Sequence, residues 1–219
     1  MRRILKKLLD FAFPVQCVSC ELEGANCCPQ CASKIERNPK TEKIPENFSL
    51  FSATAYREHE TIGKLIRRFK YDGAGEAGEI LAGLFPKNKP ACLAQETILV
   101  PVPLHRSRFN FRGFNQSLII ANALAKRWDL SVADIIKRNR KTKPQVELSG
   151  RERIANVKGA FSALNSASKQ TQLDASLRYC LVDDVFTTGA TMEECRLALE
   201  NAGARNIFGI VIAKTRFER

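Results

Sequence analysis

The stretch Tyr179-Cys180-Leu181-Val182-Asp183-Asp184-Val185-Phe186-Thr187-Thr188-Gly189-Ala190-Thr191 decides the fold. A short apolar run ends in two acids and passes into a small, hydroxyl-rich loop, and a helical pattern begins at about Met192. Unbroken apolarity suits a strand covered on both faces, as in a parallel sheet flanked by helices. Ligands of such sheets bind beyond the carboxyl ends of the strands, where Asp183 and Asp184 are expected to stand. The loop has what a phosphate needs. Gly189 permits positive φ and close approach of an anion. Thr187, Thr188 and Thr191 offer hydroxyls. The first amides of the next helix have no partner within it, and its dipole favours an anion. No lysine follows Gly189, which excludes the P-loop of nucleoside triphosphatases. Paired carboxylates accept from vicinal hydroxyls, so the stretch describes a cradle for a ribose 5-phosphate, with Mg²⁺ nearby.

The 219 residues suffice for one α/β domain and a small appendage. A hydrophobic share of 44% supplies a core and excludes global disorder. The formal charge of +12 favours polyanionic partners, either nucleic acid or a phosphorylated substrate. No apolar run reaches the length of a membrane span, so no stable membrane insertion is expected. Lys6-Lys7 interrupts any signal-peptide core, which points to a cytoplasmic location. Ile4, Leu5, Leu8 and Leu9 follow helical spacing and predict a short amphipathic helix packed on the protein. A membrane-surface or partner-binding role is the alternative for it.

Five of the eight cysteines fall between Cys17 and Cys31. Cys17 and Cys20 form one pair with a two-residue gap, and Cys28 and Cys31 form another. Four such thiolates make a closed tetrahedral site, which predicts structural zinc; an iron–sulfur cluster or a redox pair is the alternative. Disulfides are disfavoured in a reducing cytosol. Cys27 is surplus to the set. Residues 1–45 are expected to form the metal module, with a polar linker from Ala32 to Asn47, and residues 46–219 the main domain.

Phe48 to Tyr56 reads as a first strand and Thr97 to Val102 as a second, ended by Pro101 and Pro103. Ile62, Leu65, Ile66 and Phe69 predict an amphipathic helix whose other face carries Lys64, Arg67, Arg68 and Lys70 and reads as a solvated basic face, with phosphate or nucleic-acid contact as the alternative. Asp72-Gly73 breaks it, and Ala77 to Phe85 is helical again. His105 to Gln116 reads as a loop in which arginines alternate with phenylalanines. Arg106, Arg108, Arg112 and Phe114 there, with Arg140 and Lys141 of a later basic run, are candidate nucleic-acid contacts, because guanidinium forks bind phosphate and aromatics stack on bases. The alternative is that the phenylalanines anchor the loop in the core. A helix from Gln116 to Trp128, burying Leu118, Ile119 and Leu124, a strand from Ala133 to Lys137, a capped helix at Ser149 to Glu152, a surface loop from Leu164 to Ser176 and a last strand from Ile207 to Ala213 complete the pattern.

The acid-and-threonine stretch resembles the phosphoribosyl pyrophosphate motif of type I phosphoribosyltransferases. Together with the cysteine pairs, Val100-Pro101-Val102-Pro103, Arg112-Gly113-Phe114-Asn115-Gln116 and Arg151-Glu152-Arg153 with Asn156, it is similar to the ComF/GntX family of competence-associated phosphoribosyltransferase-like proteins. The resemblance implies a mostly parallel sheet with helices on both faces. It implies a bacterial, cytoplasmic protein engaged in uptake of transforming DNA, acting on the incoming single strand. It further implies a binding site for phosphoribosyl pyrophosphate and Mg²⁺. Asp183 and Asp184 would take the ribose hydroxyls, and Val185, Thr187, Thr188, Gly189, Ala190 and Thr191 would surround the 5-phosphate. Val102 and Pro103 would line the pyrophosphate, with Arg106, Arg112 or Arg153 neutralising it. A basic segment within Arg138 to Arg153 would close over the site. Thr187 stands where the purine-salvage branch carries an acid that acts as general base, which argues against purine salvage. An active transferase with an unidentified acceptor is the alternative to a binding protein. A competence helicase or other DNA-uptake protein is a further expected partner.

Overall fold

The computed structural model describes residues 14–44, 48–57, 59–71, 75–91, 93, 96–140, 150–163 and 172–215. The N-terminal helix, the break at Asp72-Gly73, the basic residue Lys141, the cap at Ser149 and most of the 164–176 loop lie outside them.

The chain runs α1 (Pro29–Ser33), β1 (Lys40–Ile44), β2 (Phe48–Ala55), α2 (Thr61–Tyr71), α3 (Gly75–Ala82), β3 (Thr97–Pro101), α4 (Arg106–Arg112), α5 (Gln116–Trp128), β4 (Ser131–Val132), β5 (Ile136–Arg138), α6 (Gly150–Val157), β6 (Phe161–Ala163), β7 (Arg178–Phe186), α7 (Ala190–Asn201) and β8 (Asn206–Lys214). Six strands form one sheet in the order β1-β2-β8-β7-β3-β4. Only β1 is antiparallel to its neighbour; all other pairs in that sheet are parallel. The central strands β7 and β8 are buried along most of their length, which is why they read as continuous apolar runs. Alternate residues of β7 feed two cores. Cys180 and Val182 join Leu65, Phe69, Leu81, Ile120 and Leu124 of α2, α3 and α5. Tyr179 and Leu181 join Val157, Cys195 and Leu199 of α6 and α7.

Several expectations need correction. The linker of residues 32–47 contains β1, which lies within residues 1–45 yet hydrogen-bonds to β2. The buried face of α5 is Ile120, Ala121, Leu124 and Trp128, with Leu118 and Ile119 only half-buried. The strand expected at residues 133–137 is β5, paired with β6 in a separate two-stranded sheet. The Arg/Phe loop is a helix, α4. His105 caps it by accepting from the Ser107 amide, and Gly113 closes it at φ 79°. Among the described residues no helix is long and apolar enough to cross a membrane.

Candidate functional site

Strand β7 is flanked unequally. Its ladder to β8 runs on to Phe186, whereas β3 leaves at Pro101, opposite Val182. Asp183 and Asp184 are therefore inside the strand on one side and beyond the end of β3 on the other. A crevice opens beside them at the carboxyl edge, the position expected for a ligand in such a sheet. Successive residues of a strand face opposite ways, and the two acids do. Asp183 lines a small hollow with Val185 to Met192, including Thr187, Thr188, Gly189, Ala190 and Thr191. Asp184 is buried on the other face, with Lys70 Nζ 3.0 Å from its Oδ2.

The hollow sits on the N-terminus of α7. Gly189 is the N-cap residue at φ 80°, and the Ala190 amide lies 3.5 Å from Thr188 Oγ1. A Cβ on Gly189 would approach Phe186 Cζ to 2.5 Å, so the turn admits only glycine. Asp183 Oδ1 accepts from Ser117 Oγ and from the Asp184 amide, each at 2.9 Å. Burial, then the charge of Asp184, pushes the Asp183 carboxyl up to about 7, against the pull of the Asp184 amide, Lys70 and Ser117.

The Arg112-to-Gln116 motif has a structural job here. Asn115 caps α5 by accepting from the Ser117 amide at 3.1 Å, and its Nδ2 donates to the Val102 carbonyl at 3.2 Å. It thus ties the end of β3, with Val102 and Pro103 both buried, to the helix that delivers Ser117 to Asp183. Sequence reasoning missed Ser117 and misplaced Lys70. Lys70 had a legible signal: Ile62, Ile66 and Lys70 fall four residues apart, in one row of α2, and both isoleucines are buried. Its place is under the sheet, not on a solvated basic face.

The candidate nucleic-acid residues divide. Helix α4 buries none of its side chains. Phe109 and Phe111 are 47% and 79% exposed, and nearby Tyr71 is 59% exposed. The Arg112 guanidinium lies 5.2 Å from the Tyr71 ring centroid. Arg106 is exposed and Arg108 half-buried; burial, then Arg112, lowers the Arg108 pKa. Phe114, by contrast, packs inward against Phe69, with ring centroids 6.0 Å apart. Arg140 is held at the end of α6, donating to the Asn156 and Lys158 carbonyls.

The four cysteines of the two pairs come together, with the Sγ atoms of Cys17, Cys20, Cys28 and Cys31 within 4.8 Å of one another. Cys20 and Cys28 are 3.6 Å apart, close to the ~3.8 Å edge of a tetrahedron with metal–sulfur bonds of about 2.3 Å. Burial raises the Cys17 thiol, but the amides of Cys20, Cys28 and Ser19 outweigh it and bring it to about 6. Such amide donors stabilise thiolates, so the donor set fits a metal. Cys27 is outside the set: burial, then Cys17 and Cys31, pushes it up to about 12. The cluster is fastened to the sheet's helices. Thr61 Oγ1 donates to Ser19 Oγ at 3.1 Å, and Asn26 donates through its amide and Nδ2 to Glu76 on α3.

No protein-family model matches the chain. Over 193 residues it is 30% identical to DNA utilization protein YhgH of Escherichia coli (strain K12), covering 81% of this chain and 79% of that one. It is 32% identical over 154 residues to Competence protein F of Haemophilus influenzae, covering 68% and 66%. Among solved structures it is similar to an allosteric regulatory enzyme of purine biosynthesis, at 20% identity and TM-score 0.36 over 61% of this chain and 24% of that one. It is also similar to a purine phosphoribosyltransferase from Pyrococcus horikoshii, at 12% identity and TM-score 0.28 over 76% and 92%. The chain is an α/β protein with a mostly parallel sheet, an acid pair at the carboxyl edge of β7 beside a threonine-rich turn, and a cysteine cluster that can bind a metal. The chain belongs to the ComF/GntX family, with YhgH and Competence protein F.

Proposed function

We propose that the protein binds phosphoribosyl pyrophosphate with Mg²⁺ at the carboxyl edge of β7, and that it handles single-stranded DNA during DNA uptake. The observation that carries the first half is the juxtaposition of Asp183 with the Gly189 turn at the N-terminus of α7. That pairing offers acceptors for ribose hydroxyls within reach of amide and hydroxyl donors for a 5-phosphate. Thr187, Thr188, Gly189, Ala190 and Thr191 hold the phosphate, Asp183 serves the ribose, and Val102, Pro103 and Arg106 line the pyrophosphate; Asp184, expected beside Asp183 at the ribose, is instead buried against Lys70. Calorimetric titration with phosphoribosyl pyrophosphate and Mg²⁺ is expected to show saturable binding that Asp183→Asn weakens at least tenfold. Undiminished affinity in that variant would remove Asp183 from the site. Turnover with pyrophosphate release in the presence of an acceptor would make the protein an active phosphoribosyltransferase; binding without turnover would make the site a sensor.

The DNA half draws on the names of the relatives, a competence protein and a DNA utilization protein, and on the exposed aromatic–arginine helix. Phe109, Phe111 and Tyr71 supply stacking faces, and Arg106, Arg108 and Arg112 supply phosphate partners. Phe114 packs on Phe69 and is not a stacking face. Single-strand affinity is expected to fall steeply with salt, and to drop about tenfold or more in Phe109→Ala/Phe111→Ala at constant salt slope. A fluorescence-anisotropy titration that shows no change in that double variant would place DNA elsewhere. Zinc is the proposed occupant of the cysteine cluster, and a cytoplasmic location suits its reduced thiols.

A further inference from the structure

Lys70 and Asp184 form an ion pair on the face of β7 opposite the phosphate hollow, their side chains 26% and 10% exposed. Taking either charge out of water is costly unless the other is present. Burial pulls the Lys70 ammonium down, and Asp184 followed by Asp183 more than reverses this, leaving it above its ordinary value. Among the described residues Lys70 is the group ion-paired to Asp184. One residue away along the strand, Asp183 faces the hollow. Its Oδ1 accepts from Ser117 Oγ and the Asp184 amide, which among the described residues leaves Oδ2 for a ligand.

We propose that Lys70 is a positioning residue of the sugar site: by neutralising and fixing Asp184 behind β7, it allows Asp183 to stand in the hollow as a carboxylate and accept a ribose hydroxyl. The role rests on the phosphoribosyl reading above. The groups facing Asp183 are Asp184 on its own strand, Lys70 from α2, Arg138 from β5, Cys195 from α7 and the neutral Ser117 from α5, while Arg112 opposes Lys70. Asp184 is the adjacent negative charge and Lys70 its counter-ion. Without the ammonium, Asp184 acts on Asp183 uncompensated, and Asp183 keeps its proton to higher pH. A protonated carboxyl spends its hydrogen as a donor where the sugar requires an acceptor.

The test follows Asp183 twice, in the full chain. Carbon-13 NMR of the aspartate carboxyls reads its ionisation in the free protein, and calorimetry reads phosphoribosyl pyrophosphate affinity with Mg²⁺ across the same pH range. Wild-type binding should strengthen as pH rises through about 7, as Asp183 ionises. In Lys70→Met both midpoints should move up by about one pH unit or more, and Lys70→Arg should restore them; Lys70→Gln replaces the methionine variant if that does not fold. An affinity loss of equal size at every pH, with an unmoved carboxyl midpoint, would leave Lys70 a merely structural lysine and overturn the proposal. A wild-type protein that binds no phosphoribosyl pyrophosphate at any pH would instead overturn the sugar site itself. The carboxyl titration, which needs no ligand, separates these two failures.

Discussion

With zinc as the proposed occupant of the Cys17, Cys20, Cys28 and Cys31 cluster, its removal by a chelator is expected to unfold the N-terminal segment while β7 and β8 stay intact. Between residues 14 and 35 the buried apolar side chains are Cys17, Cys27, Cys28, Cys31 and Ile35, four of them sulfur-bearing and three of them ligand candidates. Helix α1 has five residues and no side-chain cap, too short to persist alone. Metal–thiolate bonding, worth roughly 10–16 kcal/mol in small zinc-dependent units, would be most of what folds this segment. The segment is joined to α2 and α3 by exposed polar bonds from Thr61 and Glu76, which contribute little on their own, and by its buried cysteines and Ile35, which share a core cluster with Ile62, Leu65 and Ala77. Native mass spectrometry should therefore show one bound zinc, lost with chelator. Hydrogen exchange should then accelerate at residues 14–35 long before it does in the sheet. Cys31→Ser should reproduce the effect. Cys27→Ser should keep the metal, because that thiol lies outside the four-sulfur set. A native mass without zinc, or protection at residues 14–35 that chelator leaves unchanged, would contradict this account.

What could be read in advance depended on how local the physics was. Helix α2 and strands β2, β3, β7 and β8 follow from short-range apolar patterns, because burial on one or both faces imposes a period on the chain. The Gly189 turn was legible for a different reason: a glycine among short polar residues before a helical pattern marks a tight positive-φ turn, and the signal is local. The rest depends on contacts distant in sequence. Ser117 reaches Asp183 across 66 positions, and nothing near Ser117 marks it out. Strand β1 is an edge strand, largely exposed, with no apolar alternation, and it exists because β2 offers it a ladder. Helix α4 failed for lack of a buried stripe. Its phenylalanines are two residues apart, so they lie on different faces of a helix, and both remain in solvent. Its caps, His105 and Gly113, were the available signal. Lys70 shows how charge can mislead: an ammonium in register with buried isoleucines was assigned to water, although a buried acid on the facing strand was the reason for its placement.

Gly189→Ala is expected to reduce phosphoribosyl pyrophosphate affinity about a hundredfold. Two effects act together. At φ 80° an alanine Cβ costs about 1–2 kcal/mol of backbone strain. It would also meet Phe186 Cζ at 2.5 Å and Cε2 at 3.0 Å. Phe186 is buried, with Lys214 Nζ 5.9 Å from its ring centroid, so the ring has little room to withdraw and the turn must move instead. Moving the turn displaces the first amides of α7 and the Thr188 hydroxyl from the phosphate. Losing two hydrogen bonds to a charged group, at about 1.5–3 kcal/mol each, corresponds to about two or more powers of ten in affinity. Gly159→Ala separates strain from site. Gly159 also has positive φ, 66°, but a Cβ there meets nothing within 4 Å, so that variant should lose some thermal stability and keep its ligand. Calorimetry and thermal melting on both variants check this. If Gly189→Ala melts lower yet binds as tightly as wild type, the α7 turn is a packing feature and the phosphate must be held elsewhere.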